Sequence, residues 1–244
     1  TLNGENPILN YHIELDWKEW GINGQYTPQL YFNAPLTFEA EEYTYDCAAG
    51  VVKRKEFECD MPGNSFVASE KGINGVMLVS NCKYGFRGEK NSLGVDLIRS
   101  STEPDTHPEF GRHAIDIALV PYTDVSNSAK IRLSAAYNQK LTYFNLKSQK
   151  GSKALNGKLF EIESDAVLSA VKKGENDSDS VVMRFYEADG RKAAVKINTL
   201  FDAGKAYVTD LNEKEIKEIP VKNGIVETEI APYSIMTVKI NRKK

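Results

Sequence analysis

Residues 75–82 read GVMLVSNC, a nearly continuous apolar run that ends in polar residues. Such a run, bounded by turn residues, is typical of a central strand that is covered on both faces. A second run follows the turn at 88–91, with Leu93, Val95 and Leu97 in alternation. We predict that strands 75–82 and 92–100 pair as a hairpin, so that the polar loops after them lie side by side.

The same period of two recurs on both sides of this block. Residues 9–15 and 113–119 alternate apolar and polar side chains, as half-buried strands do. One segment departs from the pattern. Residues 126–137 predict a short helix, with Ser126 or Ser128 as its N-cap.

A change of composition divides the chain. Residues 145–158, NLKSQKGSKALNGK, are polar and Lys-rich and suit a linker or a long crossover. Beyond them the β pattern is smaller, and Asp189-Gly190 between two apolar runs predicts a hairpin. The predicted fold is all-β: a large antiparallel, supersandwich-like β-sandwich in residues 1–150, a smaller β-sandwich in residues 151–244, and one short helix near 126–137.

Composition excludes several classes of partner. The 244 residues are 41% hydrophobic and carry a net charge of −3, which predicts a soluble protein that binds no nucleic acid. No apolar stretch approaches the roughly 20 residues of a membrane span, so no membrane association is expected. The chain begins at Thr1 without Met or a signal-peptide pattern, and we expect any targeting signal upstream. The three cysteines predict free thiols, buried as small hydrophobes, and weakly indicate a reducing compartment.

Catalytic chemistry is sparse in this sequence. His12, His107 and His113 have no HxH or HxxxH spacing, and no nucleophile-elbow or phosphate-loop motif occurs. Carboxylates are abundant, but a glycosidase pair is a spatial relation that spacing does not reveal. We therefore predict no catalytic residue and no metal ligand in this chain.

The junction at 81–86 is the strongest candidate for a binding surface. Asn81, Cys82, Lys83, Tyr84 and Gly85 follow the buried run, where an aromatic face can stack on a sugar ring and polar groups can bind hydroxyls. Arg99 ends the neighbouring run and begins a polar loop. Two ordinary loops at a sheet edge are the alternative, with Tyr84 and Gly85 shaping a turn and Arg99 paired with Asp105 or Asp116.

These residues also carry a family resemblance. An apolar strand, NCKYG at 81–85, the LIRS strand end at 97–100, a T-x-P-D loop at 102–105 and GRH at 111–113 follow one another. This order resembles the C-terminal domain of family 38 α-mannosidases, especially the cytosolic or vacuolar type and its bacterial relatives. LDWKE at 15–19, AGVVKR at 49–54 and APYSI at 231–235 resemble further segments of the same enzymes, whereas Phe86-Arg87 departs from them.

The resemblance implies a function for the whole enzyme and a role for this part. Such enzymes are retaining α-mannosidases that hydrolyse terminal α-linked mannose. Their nucleophile, general acid and divalent metal, usually zinc, lie in an N-terminal catalytic domain that nothing here resembles. We therefore expect a chain that is inactive alone, holds no cofactor, and packs on that domain of the same polypeptide in the cytoplasm. Asn81, Cys82, Lys83, Tyr84, Gly85 and Arg99 would help to form the mannoside cleft, and a homo-oligomer is compatible with the sequence.

Two other interpretations stay open. An independent carbohydrate-binding module would need an exposed row of aromatics, with Trp17, Trp20 and Tyr26 as members, although core packing of both Trp residues is the simpler expectation. A purely structural β domain of another sugar-active enzyme is the third interpretation, because such sandwiches recur among glycoside-processing proteins.

Overall fold

A computed structural model describes residues 2–3, 6–145, 147, 150–151, 156–177 and 179–243. The chain divides into two compact units, Thr1–Lys140 and Leu141–Lys244, which we call the large and the small unit. Both are built from antiparallel sheets, which confirms the predicted all-β class. The predicted boundary between 150 and 151 stays a prediction, since several residues between 146 and 155 lie outside the described ranges.

The large unit is a sandwich of two sheets. The seven-stranded sheet has the order β1-β2-β11-β8-β7-β4-β5, and the four-stranded sheet has the order β3-β10-β9-β6. The strands are β1 (Leu2–Asn3), β2 (Asn6–Trp17), β3 (Gln29–Pro35), β4 (Glu42–Cys47), β5 (Gly50–Lys55), β6 (Met61–Pro62), β7 (Phe66–Lys71), β8 (Asn74–Ser80), β9 (Gly85–Glu89), β10 (Ser92–Arg99) and β11 (Gly111–Thr123).

Alternation along these strands fills the space between the sheets. Leu78 and Ile117 of the seven-stranded sheet and Phe86 and Val95 of the four-stranded sheet are fully buried in one cluster. The other face of the seven-stranded sheet carries a second cluster that includes Met77, which explains why residues 75–80 are apolar at successive positions.

The predicted pairing of strands 75–82 and 92–100 is wrong. β8 belongs to the seven-stranded sheet and β10 to the four-stranded sheet, where β10 pairs with β9 and β3. Residues 85–89, which the sequence presents as a Gly-bearing loop, form the intervening strand with Phe86 and Gly88 inside. The true hairpin is β9–β10, and the chain crosses between the sheets at residues 81–84.

Helix α1 (Asn127–Asn138) covers part of the outer face of the seven-stranded sheet. Ser126 is its N-cap and accepts a hydrogen bond from the Ala129 amide, as the sequence predicts. The helix packs Ile131 and Leu133 against the apolar cluster of the sheet, while its fully buried residues are polar. Ser134 Oγ lies 2.6 Å from Ser65 Oγ, and the Lys130 ammonium pairs with Glu70.

The small unit has two further sheets, with the orders β12-β15-β19-β18 and β13-β14-β20-β16-β17. Its core is a separate cluster that includes Met183, Phe185, Ile197 and Ile240. The strands are β12 (Phe160–Ser164), β13 (Val167–Lys173), β14 (Ser180–Tyr186), β15 (Ala193–Thr199), β16 (Ala203–Thr209), β17 (Glu215–Ile219), β18 (Val221–Lys222), β19 (Ile225–Ile230) and β20 (Ile235–Arg242).

The predicted hairpin at Asp189-Gly190 is also wrong. Gly190 does adopt a positive φ of 72°, as a tight turn requires. The strands on either side, β14 and β15, nevertheless lie in different sheets, so the turn links the layers. A turn within a hairpin and a turn between two sheets favour the same residues. Only the pairing partners of the flanking strands distinguish the two kinds of turn.

Glycines lie under tyrosine rings at three places in the large unit. A Cβ at Gly75 would overlap the ring of Tyr122 on the neighbouring strand, and one at Gly94 would overlap Tyr31. Gly88 lies under Tyr43 of the opposite sheet, whose hydroxyl donates to the Lys90 carbonyl at 3.0 Å. These close approaches require residues without a side chain.

Candidate functional site

The loop at 81–84 leaves β8 and enters β9. The Asn81 amide donates to the Asp116 carbonyl at 3.2 Å, and the Lys83 amide donates to Ser80 Oγ at 3.0 Å. These bonds hold the start of the loop against the seven-stranded sheet. Tyr84 is 61% exposed, so its ring is available to a ligand or a partner surface.

Five of the six predicted site residues line one depression of about 360 Å³, which we call the rim pocket. The loop contributes one wall and the end of β10 the other. The convergence arises through β9, which brings residues 82–85 against β10. The lining residues are Cys82, Lys83, Tyr84, Gly85, Asp96, Leu97, Ile98, Arg99 and Glu109.

The rim pocket contains charges of both signs. Lys83 Nζ lies 3.7 Å from a carboxylate oxygen of Glu109. Asp96 faces the pocket from β10. Burial raises the pKa of its carboxyl and Asp60 adds to the effect, while the side chain of Gln29, followed by Arg99 and Lys83, opposes it. Ammonium and guanidinium donors beside carboxylate acceptors suit a ligand rich in hydroxyl groups.

Sequence reasoning missed Asp96 and Glu109. Asp96 is a mid-strand residue whose neighbours give no sign of a site. Asp96 pairs with Tyr31 of β3 and, by alternation, lies on the opposite face of β10 from the buried Val95. A register shift follows it, between Asp96 and Ile98, so that Leu97 and Ile98 are both buried while Arg99 lines the pocket with Asp96. No sequence signal marks such a shift, and Glu109 joins the pocket only because the loop at 100–110 folds back.

A polar network supports the rim pocket from behind. Gly85 lies between Asp60 and Asp96, and a Cβ there would reach 3.5 Å from the Cβ of each. Asp60 accepts hydrogen bonds from Gln29 at 2.9 Å and pairs with the Arg87 guanidinium at 3.0 Å. Arg87 in turn lies over the ring of Tyr31. The loop therefore enters β9 against a fixed surface.

Asn81 lies apart from the other predicted residues. The side-chain nitrogen of Asn81, Nδ2, donates to the Asp116 carboxylate at 3.4 Å. The other carboxylate oxygen of Asp116 lies 2.6 Å from His12 Nδ1. Glu14 contacts the other ring nitrogen of His12 at 3.1 Å. Hydrogen bonds to Asp116 and then to Glu14 raise the pKa of His12, while burial slightly opposes this. Asn81 thus belongs to a polar cluster on the face of the seven-stranded sheet.

Arg99 has neither of the partners considered from sequence. Asp116 is bound to His12, and Asp105 accepts a hydrogen bond from the His107 amide at 3.0 Å. In the part of the chain that the structure describes, no carboxylate forms an ion pair with Arg99. Its guanidinium is exposed at the edge of the rim pocket.

An exposed aromatic group adjoins the rim pocket through Glu109 and Phe110. Trp20 and Phe110 are each 49% exposed, with ring centroids 6.3 Å apart. Tyr26 is exposed as well, whereas Trp17 is half-buried. Core packing of both Trp residues, the simpler expectation, is therefore wrong for Trp20.

The predicted burial of the cysteines is also wrong, since Cys47, Cys59 and Cys82 are all exposed.

Among the described residues, no cluster of His, Cys, Asp or Glu side chains is arranged to hold a metal ion. In the same residues no helix is long and apolar enough to cross a membrane. A groove of about 860 Å³ in the small unit contains none of the predicted site residues, and the Lys196–Glu163 pair lies on its wall.

Family models match both units of the chain. The model described as "Glycosyl hydrolases family 38 C-terminal domain" matches residues 1–107. The model described as "Glycosyl hydrolases family 38 C-terminal beta sandwich domain" matches residues 165–238. The first match contains the loop at 81–84 and Arg99, and the second contains most of the small sandwich.

Relatives of known name agree with these matches. Human alpha-mannosidase 2C1 is 24% identical over 95% of this chain, which covers 23% of that protein. The alpha-mannosidase of Saccharomyces cerevisiae is 24% identical over 75% of this chain, which covers 19% of it. The chain thus spans about a fifth of the length of these relatives.

A solved structure has the same fold. The crystal structure of an alpha-mannosidase from Enterococcus faecalis covers 98% of this chain with a TM-score of 0.77, at 17% sequence identity. This chain covers 28% of that one. The two family models, the relatives and the fold therefore agree, and this chain belongs to family 38 of the glycosyl hydrolases as part of its C-terminal region.

Proposed function

We propose that this chain is the non-catalytic C-terminal part of a retaining α-mannosidase that hydrolyses terminal α-linked mannose. In this proposal the large unit packs on the catalytic domain of the same polypeptide, and the rim pocket forms one wall of the sugar cleft. The observation that carries the proposal is the convergence of residues 82–85 and Arg99 in one depression. The relatives are named as alpha-mannosidases, which supports the choice of reaction.

The rim pocket would bind and orient the sugar. Lys83 and Arg99 would donate hydrogen bonds to hydroxyl oxygens, while Asp96 and Glu109 would accept hydrogen bonds from hydroxyl groups. Tyr84 is exposed and would pack against a ring face. Such contacts act on substrate position, so their loss raises KM or lowers kcat according to the state in which they form.

The chemical steps belong to the rest of the polypeptide in this proposal. The catalytic domain would supply the nucleophile, the general acid and the divalent metal, usually zinc. This chain alone would hydrolyse nothing, and the complete enzyme would act on mannosides in the cytoplasm.

Variants of the rim pocket in the complete enzyme test the proposal. We expect Lys83→Ala combined with Arg99→Ala to lower kcat/KM for an aryl α-mannoside by about tenfold or more, because two charged hydrogen bonds to sugar are lost. Lys71→Ala is the matched control, since Lys71 is an exposed cation of β7 outside the pocket. It should leave both constants unchanged.

Complementation tests the role of the chain as a whole. A catalytic half expressed separately should gain activity when this chain is added, and the two should co-elute. Full activity of the enzyme after deletion of these residues would refute the proposal, as would unchanged kinetics of the double variant.

A further inference from the structure

Trp20 and Phe110 lie on two loops at one end of the large unit. Trp20 follows β2, and Phe110 ends the loop that leads into β11. The centroids of the two rings are 6.3 Å apart, and their planes are tilted by 44°. The two rings therefore form adjoining, tilted aromatic surfaces. The His107 ring meets Trp20 edge-on at 5.9 Å and closes one side.

The loop that carries Trp20 is held rigidly. Trp17 Nε1 donates to Ser100 Oγ at 2.7 Å, and Ser100 Oγ donates to the Glu19 carbonyl at 3.1 Å. Gly21 packs so closely that a Cβ there would lie 2.5 Å from the Ser100 carbonyl oxygen. Trp20 is thus fixed on both sides by contacts to the end of β10 while its ring stays half exposed.

The second loop is ordered by its own hydrogen bonds. Asp105 accepts from the His107 amide at 3.0 Å, and the Phe110 amide donates to the His107 carbonyl at 3.3 Å. Lys18 Nζ lies 5.0 Å from the centroid of Phe110 and covers part of that ring. The free aromatic face is therefore mainly that of Trp20, with Lys18 and His107 as polar groups at its border.

We propose that Trp20 and Phe110 form a stacking site for a pyranose ring, at which α-mannosides bind to the large unit without the catalytic domain. Exposed, pre-ordered aromatic rings bordered by hydrogen-bonding groups match the C–H face and the hydroxyl edge of a sugar. Only the choice of mannosides as the sugar rests on the proposed function.

The position of the site gives it a place relative to the rim pocket. Glu109 lines the rim pocket, and the next residue, Phe110, belongs to the stacking site. A glycan with one sugar in the cleft could therefore extend along residues 109–110 towards Trp20. The site would therefore favour mannosides of two or more units over a single sugar.

The test uses this chain as it is. Saturation-transfer NMR with methyl α-D-mannopyranoside and with a mannobiose should show transfer to the ring C–H protons. The same sugars should protect Trp20 fluorescence from acrylamide, because Trp17 and Trp20 are the only two tryptophans and Trp20 is the more exposed. We expect Kd in the millimolar range for the single sugar and a lower Kd for the mannobiose.

Two variants locate the binding. Trp20→Ala should weaken binding by about tenfold, as loss of an aromatic anchor does. Phe57→Ala removes another exposed aromatic ring, which is outside the ring contacts that the structure shows for Trp20 and Phe110, and should change nothing. Circular dichroism of both variants checks that each is folded.

Two outcomes would overturn the stacking site. They are no transfer from the unaltered chain to either sugar, and binding that survives Trp20→Ala. If the surviving binding is lost on Tyr84→Ala, the sugar lies in the rim pocket instead. Because the rim variants of the complete enzyme are measured separately, the stacking site can fail while the proposed function stands, and the reverse.

Discussion

His12 lies between two carboxylates, and both favour its protonated form. It lies on the exposed face of β2 with Asp116 at one ring nitrogen and Glu14 at the other. Both carboxylates favour the imidazolium, which is why the pKa is raised above 6.5. The His12 side chain is 56% exposed, so the effect on stability is small and screened by salt.

The sign of the pH dependence follows from that direction. The protonated ring binds its carboxylates only in the folded state, so the stabilisation is complete below the unfolded pKa of about 6.5 and is lost as pH rises through the higher folded pKa. We expect the difference in Tm between the natural chain and His12→Gln to be larger near about pH 5.5 than near about pH 8.5. An NMR titration should give a pKa above 6.5, and a value at or below 6.5 would contradict the assignment.

For individual residues, the sequence predicted which side chains line the rim pocket better than it predicted what those side chains contact. Residues 82–85 and Arg99 could be chosen because they end apolar runs, and the structure brings them together. Asn81 could not be separated from them, since its contact with Asp116 depends on pairing between β8 and β11. Asp96 could not be found, because a register shift after it, which no local pattern signals, brings Arg99 to the pocket that Asp96 lines.

Helix α1 attaches to its sheet through buried polar contacts as well as through apolar ones such as those of Ile131 and Leu133. Lys130 is 3% exposed, lies over the Tyr122 ring and pairs with Glu70 of β7. An N-cap serine helped to predict the helix, but its fully buried polar residues have no counterpart in the apolar periodicity used to find elements.

Removal of Glu70 should therefore destabilise the large unit. Glu70→Gln leaves the Lys130 ammonium buried without its carboxylate. We expect a loss of about 2–3 kcal/mol in the free energy of unfolding, below the roughly 3–5 kcal/mol of fully enclosed pairs, because Glu70 is 38% exposed. Urea denaturation measures it.

The matched control is Asp16→Asn, which removes the exposed Lys18–Asp16 pair. It should change the free energy of unfolding by about 0.5 kcal/mol or less, as exposed pairs do. Equal effects of the two substitutions would show that Lys130 does not depend on Glu70.

Strand pairing was the element-level property that local reasoning could not supply. The β8–β10 and β14–β15 hairpins were predicted from short connections, and in both cases the chain instead passes to the opposite sheet. Apolar alternation fixes which side chains are buried but leaves the partner of each strand open, because both sheets present the same inner face.

Over the whole molecule, each unit contains its own apolar packing: the large unit has one cluster on each face of its seven-stranded sheet, and the small unit has a cluster between its sheets. Ile117 belongs to the core of the large unit and Ile240 to that of the small unit, and both are fully buried. No cluster includes a residue of the other unit, so each unit has the contacts that it needs to unfold by itself.

Calorimetry should separate the two units. We expect two transitions, with Ile117→Ala lowering only one Tm and Ile240→Ala only the other, each by the equivalent of about 2–5 kcal/mol. Each variant is the control for the other. A single transition that both substitutions shift equally would show that the units unfold as one.

The glycine and tyrosine pairs have a consequence for folding fidelity. Strand neighbours differ by single steps of register, and a one-residue slip would place a side chain where Gly75 or Gly94 now lies beneath its ring. The slipped sheet would have to expel Tyr122 or Tyr31. Gly88 imposes the same condition between the layers, since only one alignment admits Tyr43. These rings therefore disfavour misaligned pairings of the strands on which they lie.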